Sequence, residues 1–189
     1  MAEAPRTEVM RAHRIEVMHG VNLDMLGKRD PAHYGTLGLL ELERRIEALG
    51  AGLGLRMRFF QSNAESAFVE RLHRLREEAD GLVINPGAWT HYSWAIHDAL
   101  EIAALPAVEV HLSDIEAREP WRRVSVVEDL CLASFLGQGL DGYRQGLEVL
   151  RRELDRRQAD DRQAEERQAE DRQADDRQAE EREPDGSDR

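Results

Sequence analysis

The sequence predicts an α/β domain built on a doubly wound, five-stranded parallel sheet. Three observations predict it. Short β-type runs alternate with amphipathic helical stretches, the links between most of them are short, and the polar clusters fall just after the strands. In such sheets, ligands sit beyond the carboxyl ends of the strands, near the point where strand order reverses.

Residues 1–13 read as a flexible leader. Arg14–His19 (RIEVMH) is the first strand, and a long loop, Gly20–Gly35, follows it. Thr36 is placed to cap a helix reaching about Leu49, with Leu39, Leu42, Ile46 and Leu49 on one face. Glycines at 50, 52 and 54 would end it. Leu55–Ser62 is a second strand, and Ser66–Ala79 a helix with Phe68, Val69, Leu72 and Leu75 as its apolar stripe. Gly81–Asn85 (GLVIN) is a buried strand stopped by Pro86-Gly87. Ser93–Leu105 is helical up to Pro106, and Ala107–Ser113 (AVEVHLS) is the fourth strand. Ser125 to Ser134 is expected to hold a turn and a short fifth strand. Asp141 is placed to cap a last helix, Gly142 to roughly Arg156.

From Arg157 the chain reads RQADD, RQAEE, RQAED, RQADD, RQAEE. Five residues advance a helix about 140° beyond a full turn, so each residue type is spread around the axis and no apolar face forms. The tail, 157–189, is therefore expected to be disordered or transiently helical. It carries 7 arginines and 13 acids, half of the chain's net charge of −12. No concentrated basic face suggests nucleic acid as a partner. No apolar run has the ~20 residues of a membrane span, and the N-terminus lacks a signal-peptide core, so the cytoplasm is the default location. The one cysteine, Cys131, reads as a small core residue, and no Cys/His cluster has zinc-site spacing, so neither metal nor cofactor is expected.

Four clusters could carry chemistry. The loop after strand one is too long for a plain strand-to-helix link and offers Arg29 and Tyr34 five residues apart. A guanidinium close to a tyrosine favours the phenolate, which would make a base of a group that is otherwise a poor one. Alternation places Glu109, His111 and Ser113 on one face of strand four. A carboxylate beside a histidine favours the protonated ring and fixes its tautomer, which suits a general acid, although a structural hydrogen-bonded pair is the alternative. Asn85 and His91 flank the Pro-Gly turn after strand three and suit a polyhydroxylated ligand better than a phosphate. Arginines 118, 122 and 123 could clamp a carboxylate.

The segments HGVNLDMLGKRDPAHYG, FFQSNAES, VINPGAWTHYSWAIHDAL and VEVHLSDIEAREPWRR resemble, in order and spacing, those of type II 3-dehydroquinate dehydratases. The resemblance runs from about Arg14 to Leu150. It implies a flavodoxin-like fold and dehydration of 3-dehydroquinate to 3-dehydroshikimate without a Schiff base. By the same resemblance Tyr34 abstracts the proton beside the ketone, and Arg29 lowers that tyrosine's pKa. Asn22 helps position a water that stabilises the enolate. His111 protonates the departing hydroxyl, oriented by Glu109. The resemblance makes Asn85, His91, Ser113, the backbone at Leu112, and Arg122 the substrate-binding set. It also implies that Asp98 reaches a neighbouring subunit's site, in trimers that often group by fours. This chain departs from the pattern at Val21, Ser66, Asp114 and Val124, with Asp114 expected to add negative charge near a carboxylate substrate. A non-catalytic binding protein and a flavin carrier are the readings from other classes. The intact Tyr34, Arg29 and His111 set argues against the first, and the lack of a phosphate-cradling glycine loop against the second.

Overall fold

A computed structural model describes residues 12–28, 30 and 35–182. The chain divides into two units, Met1–Leu154 and Asp155–Arg189. The first contains five parallel strands: β1 (Arg14–His19), β2 (Arg56–Gln61), β3 (Gly81–Asn85), β4 (Ala107–His111) and β5 (Ser134–Leu136). Their order is β2-β1-β3-β4-β5, so the chain turns back after β2 and then proceeds outward through β3. That is the flavodoxin-like order, with its reversal between β1 and β3.

Helices α1 (Leu39–Gly52), α2 (Glu65–Glu78) and α3 (Trp94–Ala103) fill the crossovers, and α4 (Leu140–Arg182) follows β5. Strand alternation sends the apolar residues to two cores. Ile15, Val17, Val83, Val108 and Val110 pack with Leu42 and Ile46 of α1 and Tyr143, Leu147 and Leu150 of α4. Met18, Leu82 and Ile84 pack on the other face with Phe68, Leu72 and Leu75 of α2 and Ile96 and Leu100 of α3. Burying a side chain of this size is worth about 1.5–3 kcal/mol, which explains why the two-period and 3.6-period patterns dominate the outcome.

Several element boundaries differ from expectation. Gly38, not Thr36, stands at the N-cap of α1, and no side chain caps it. The helix also continues through Gly50 to Gly52, and a side chain at Gly50 would collide with that of Met57 on β2. The fifth strand begins where it was expected to end, at Ser134, and the stretch before it holds a short 3-10 turn, Glu128–Leu130. Asp141 lies inside α4 rather than capping it, and the helix extends to Arg182 where the sequence pattern suggested an end near Arg156. Ser93, expected inside α3, is instead its cap, its hydroxyl accepting from the Ile96 N–H at 3.1 Å.

Candidate active site

The carboxyl ends of β1, β3 and β4 converge on one cleft of about 500 Å³, measured out to its open mouth. It is lined by Asn22, Asn85, His91, His111, Leu112, Ser113 and Arg122 of the expected set, by Arg118 of the three candidate carboxylate-clamping arginines, and by Val21 and Ile115 besides. Arg29 and Tyr34, expected on the loop after β1, lie outside the described residues. Asp98 does not line the cleft. It is an exposed residue of α3, with its carboxylate 3.5 Å from His97.

The loops after β1 and β3 sit back to back, and glycine makes that contact achievable. A side chain on Gly20 would run into the Pro86 carbonyl, and one on Gly87 (φ +66°) would stand 2.6 Å from the Val21 carbonyl. Between them Asn22 takes a left-handed conformation (φ 65°, ψ 9°), which asparagine tolerates better than most residues. Its N–H donates to Asn63 Oδ1 at 2.7 Å, and the Asn63 amide donates to Asp24 at 3.0 Å. Asn63 was not singled out from sequence. Its place just after β2 was the only available signal.

Asn85, buried at the end of β3, has a fixed orientation. Its Oδ1 accepts from the Gly87 N–H at 3.2 Å, and its amide nitrogen lies 3.4 Å from the Tyr143 hydroxyl. Burial pushes the Tyr143 phenol well above its ordinary value, so that hydroxyl stays protonated.

At the end of β4, Glu109 and His111 point to the same side of the strand, and their side chains meet at 2.7 Å between Oε1 and Nε2. Both are buried, Glu109 completely. A carboxylate accepts only, so Nε2 carries the hydrogen and Nδ1 is left for other partners. Three hydroxyls complete the surroundings of Glu109: Thr90 at 2.5 Å from Oε1, Ser125 at 2.8 Å from Oε2, and Ser134 at 3.2 Å from Oε2. Burial alone would raise this carboxyl's pKa. The hydrogen bond and charge of His111, helped by Thr90 and Ser125, outweigh burial and hold it below the ordinary carboxylate value. None of the three hydroxyls was foreseen.

His91 donates from Nδ1 to the Val124 carbonyl at 2.8 Å. Burial lowers its pKa, with the charges of His111 and Arg122 adding to that, so the ring is neutral near pH 7 and its Nε2 is an acceptor. Trp121, also unforeseen, meets the His91 ring edge to face at 5.5 Å and lies 4.0 Å beneath the Arg122 guanidinium. Arg122 in turn pairs with Glu119 at 3.0 Å. Asp114 stands between the cleft-lining Ser113 and Ile115, and its Oδ1 accepts the N–H groups of Glu116 and Ala117, which bends the loop after β4.

The arrangement can do three things. It can offer neutral hydrogen-bonding groups to hydroxyls, hold an anion by arginine, and deliver a proton from an imidazole braced by a buried carboxylate. Among the described residues, no cluster of His, Cys, Asp and Glu could hold a metal ion, and no helix is long and apolar enough to cross a membrane.

Comparison with known proteins agrees with this geometry. Residues 13–151 match the family described as dehydroquinase class II. A 3-dehydroquinate dehydratase of Pelobacter propionicus is 50% identical over 135 residues, covering 71% of this chain and 91% of its own. One from Thermotoga maritima is 48% identical over 142 residues, covering 75% and 97%. The crystal structure of a type II dehydroquinase from Propionibacterium acnes superposes with a TM-score of 0.71 at 38% identity, covering 74% of this chain and 97% of that one.

Proposed function

The chain belongs to the class II dehydroquinase family, and from that premise we propose the reaction, its route and its assembly. The enzyme is a 3-dehydroquinate dehydratase, a hydro-lyase. The route is an anti elimination through an enolate. Tyr34, as the phenolate, takes the proton next to the ketone, and the nearby Arg29 guanidinium favours that phenolate. The electron pair moves onto the ketone oxygen, where Asn22 holds a water against the developing charge. The enolate then expels the hydroxyl, which leaves as water because His111 gives it a proton. Asn85, His91, Ser113, the Leu112 backbone and Arg122 hold the substrate's carboxylate and hydroxyls.

The observation that carries this reading is the buried Glu109–His111 pair, whose imidazole lines the cleft. A binding protein has no use for a proton donor braced in this way. The reaction is assayed on purified protein through the ultraviolet absorbance of the conjugated enone product. No turnover of 3-dehydroquinate would overturn the reading. Tyr34→Phe keeps the ring and loses the base, so turnover is expected to fall about 10²–10⁴-fold with binding retained. A variant keeping a tenth of wild-type turnover would sink this role. The sole lysine of the chain is Lys28. Borohydride with substrate is expected to leave activity and mass unchanged, since no imine forms.

The proposal extends to a cytoplasmic homo-oligomer, a trimer or four trimers together. Exposed Tyr92, Trp94 and Ile102 accompany Asp98 on and beside α3, an apolar surface suited to burial against another copy. Light scattering of Trp94→Asp is expected to show smaller species than the wild type. We also place the activity in residues 14–156, with the tail from 157 to 189 dispensable. Truncation after Arg156 is expected to leave turnover per site nearly unchanged.

A further inference from the structure

The surroundings of Glu109 are more complete than the orientation of His111 requires. A carboxylate has about four lone-pair sites, two on each oxygen. At Glu109 four donors surround the two oxygens: His111 Nε2 and Thr90 on Oε1, Ser134 on Oε2, and Ser125 within reach of both, at 2.8 Å from Oε2 and 3.0 Å from Oε1. The donors come from four separate places in the chain: β4, the turn after β3, the segment before the Glu128–Leu130 turn, and the first residue of β5. No water is needed to satisfy the group, and its exposure is 0%. A proton added to either oxygen would take one of these sites and displace a donor.

We propose that Thr90, Ser125 and Ser134 are positioning residues that keep Glu109 ionised, so that the His111 proton goes to the departing hydroxyl and never back to the carboxylate. The proposal rests on the dehydratase reading for its consequence, though not for its geometry. Orientation alone needs one carboxylate oxygen against Nε2. The three hydroxyls add something different, a cost for neutralising the carboxylate that grows with each donor displaced. Without that cost, a short bond between a buried carboxylate and an imidazolium could relax to a neutral pair. The neutral pair would leave Nδ1 without an acidic proton to give. The other titratable groups facing Glu109 are His91, on the turn after β3, and Cys131, just before β5. Burial keeps the first neutral near pH 7 and raises the thiol of the second far above its ordinary range, so neither competes for the proton.

The test compares Thr90→Val, which is nearly isosteric and loses only the hydroxyl, with Thr90→Ser, which keeps it. Ser125→Ala and Ser134→Ala remove the other two donors. The readouts are the acid limb of kcat/KM and the infrared C=O stretch of a protonated carboxyl, followed by pH titration of the full chain without substrate. Loss of one donor is expected to move both upward by about 0.5–1 pH unit, and Thr90→Ser to restore them. A purely structural role would lower activity at every pH and leave the limb in place. Folded Thr90→Val and Ser125→Ala variants with unmoved limb and carboxyl band would overturn the proposal. Ser134→Ala, like Ser125→Ala at a partly buried site, supplies the same comparison where the deeper Thr90→Val fails to fold. Should the wild type itself lack dehydratase activity, the dehydratase reading falls, and the infrared titration still decides whether the hydroxyls hold Glu109 ionised.

Discussion

Strands β1 and β4 each carry a glutamate and a histidine, and each flanks the central strand β3. In β4 they are two residues apart, Glu109 and His111, and meet at 2.7 Å. In β1 they are three apart, Glu16 and His19, so pleating sends them to opposite faces of the sheet. Glu16 instead accepts two hydrogen bonds from the Arg71 guanidinium, at 2.7 and 2.8 Å. His19 is wholly buried, with neither ring nitrogen hydrogen-bonded among the described residues and Glu43 the nearest carboxylate at 3.9 Å. One residue of spacing therefore separates a hydrogen-bonded carboxylate–imidazole pair from two unrelated buried groups. A carboxylate opposite a permanent cation suits the fold, while one opposite a titratable ring at a strand's carboxyl end suits the proposed chemistry.

The largest expected effect breaks the β4 side. His111→Ala removes the proposed acid, and turnover is expected to fall about 10²–10⁴-fold while the melting temperature changes little. Steady-state kinetics with thermal denaturation checks it. A loss of less than tenfold would put the acid elsewhere.

The β1 counterpart is expected to fail in the opposite way. Glu16→Gln leaves Arg71 buried against a neutral amide, with only Glu78 at 2.7 Å to answer its charge. Removing one member of a buried ion pair typically costs about 3–5 kcal/mol. Urea denaturation is expected to show a large loss of stability, with turnover per folded molecule within about twofold of wild type. Glu109→Gln should do the reverse and lose turnover first. Equal loss of turnover in both variants would erase the distinction between the two strands.

The distinction was half legible in the sequence. Strand period alone places Glu109 and His111 together, and their position before a loop marks a ligand-binding end. The partners of Glu109 were not legible. Thr90, Ser125 and Ser134 are small hydroxyls from three segments, and nothing local separates them from any other serine or threonine. Arg71 was hidden for a related reason: on α2 it lies next to the apolar stripe, and only the tertiary fold brings it over Glu16. Boundaries failed where the local signal was weak: the helix runs through Gly50, and Gly38 stands at its start with no side-chain cap. The loop after β1 is described at Asn22 and again at Gly35, but Arg29 and Tyr34 lie outside the described residues. Their proposed roles rest on the family resemblance of the segment that holds them.

His19 gives the third comparison, between a partnered and an unpartnered histidine. Burial lowers its pKa from 6.5 to about 4. Between those values the unfolded chain binds a proton that the folded chain refuses, so stability rises with pH across the window. The contribution is complete above about pH 6.5 and lost as pH falls to 4, a change of about 3 kcal/mol. Urea titrations at several pH values in this window are expected to show that slope, and His19→Asn to flatten it. An equal slope in the variant would assign the acid sensitivity to other groups.

The smallest effect asks whether Glu43 partners His19 at all. Burial alone accounts for the lowered His19 pKa, and at 3.9 Å the Glu43 carboxylate is beyond hydrogen-bonding reach. Burial also raises the Glu43 pKa, the sign of a carboxylate that folding slightly disfavours in its charged form. Such a group favours the fold most at low pH and loses that contribution as pH rises through its folded value. Glu43→Gln removes the charge and with it this small handicap near pH 7. The side chain is partly open to solvent, so screening keeps the gain below about 0.5 kcal/mol. The variant should therefore be as stable as wild type at pH 7 or marginally more so, with the His19 slope between pH 4 and 6.5 unchanged. A steeper slope would mean that Glu43 does support a charged His19 in acid. The pair in β1 would then be a weaker version of the one in β4, assembled across α1 instead of along a strand.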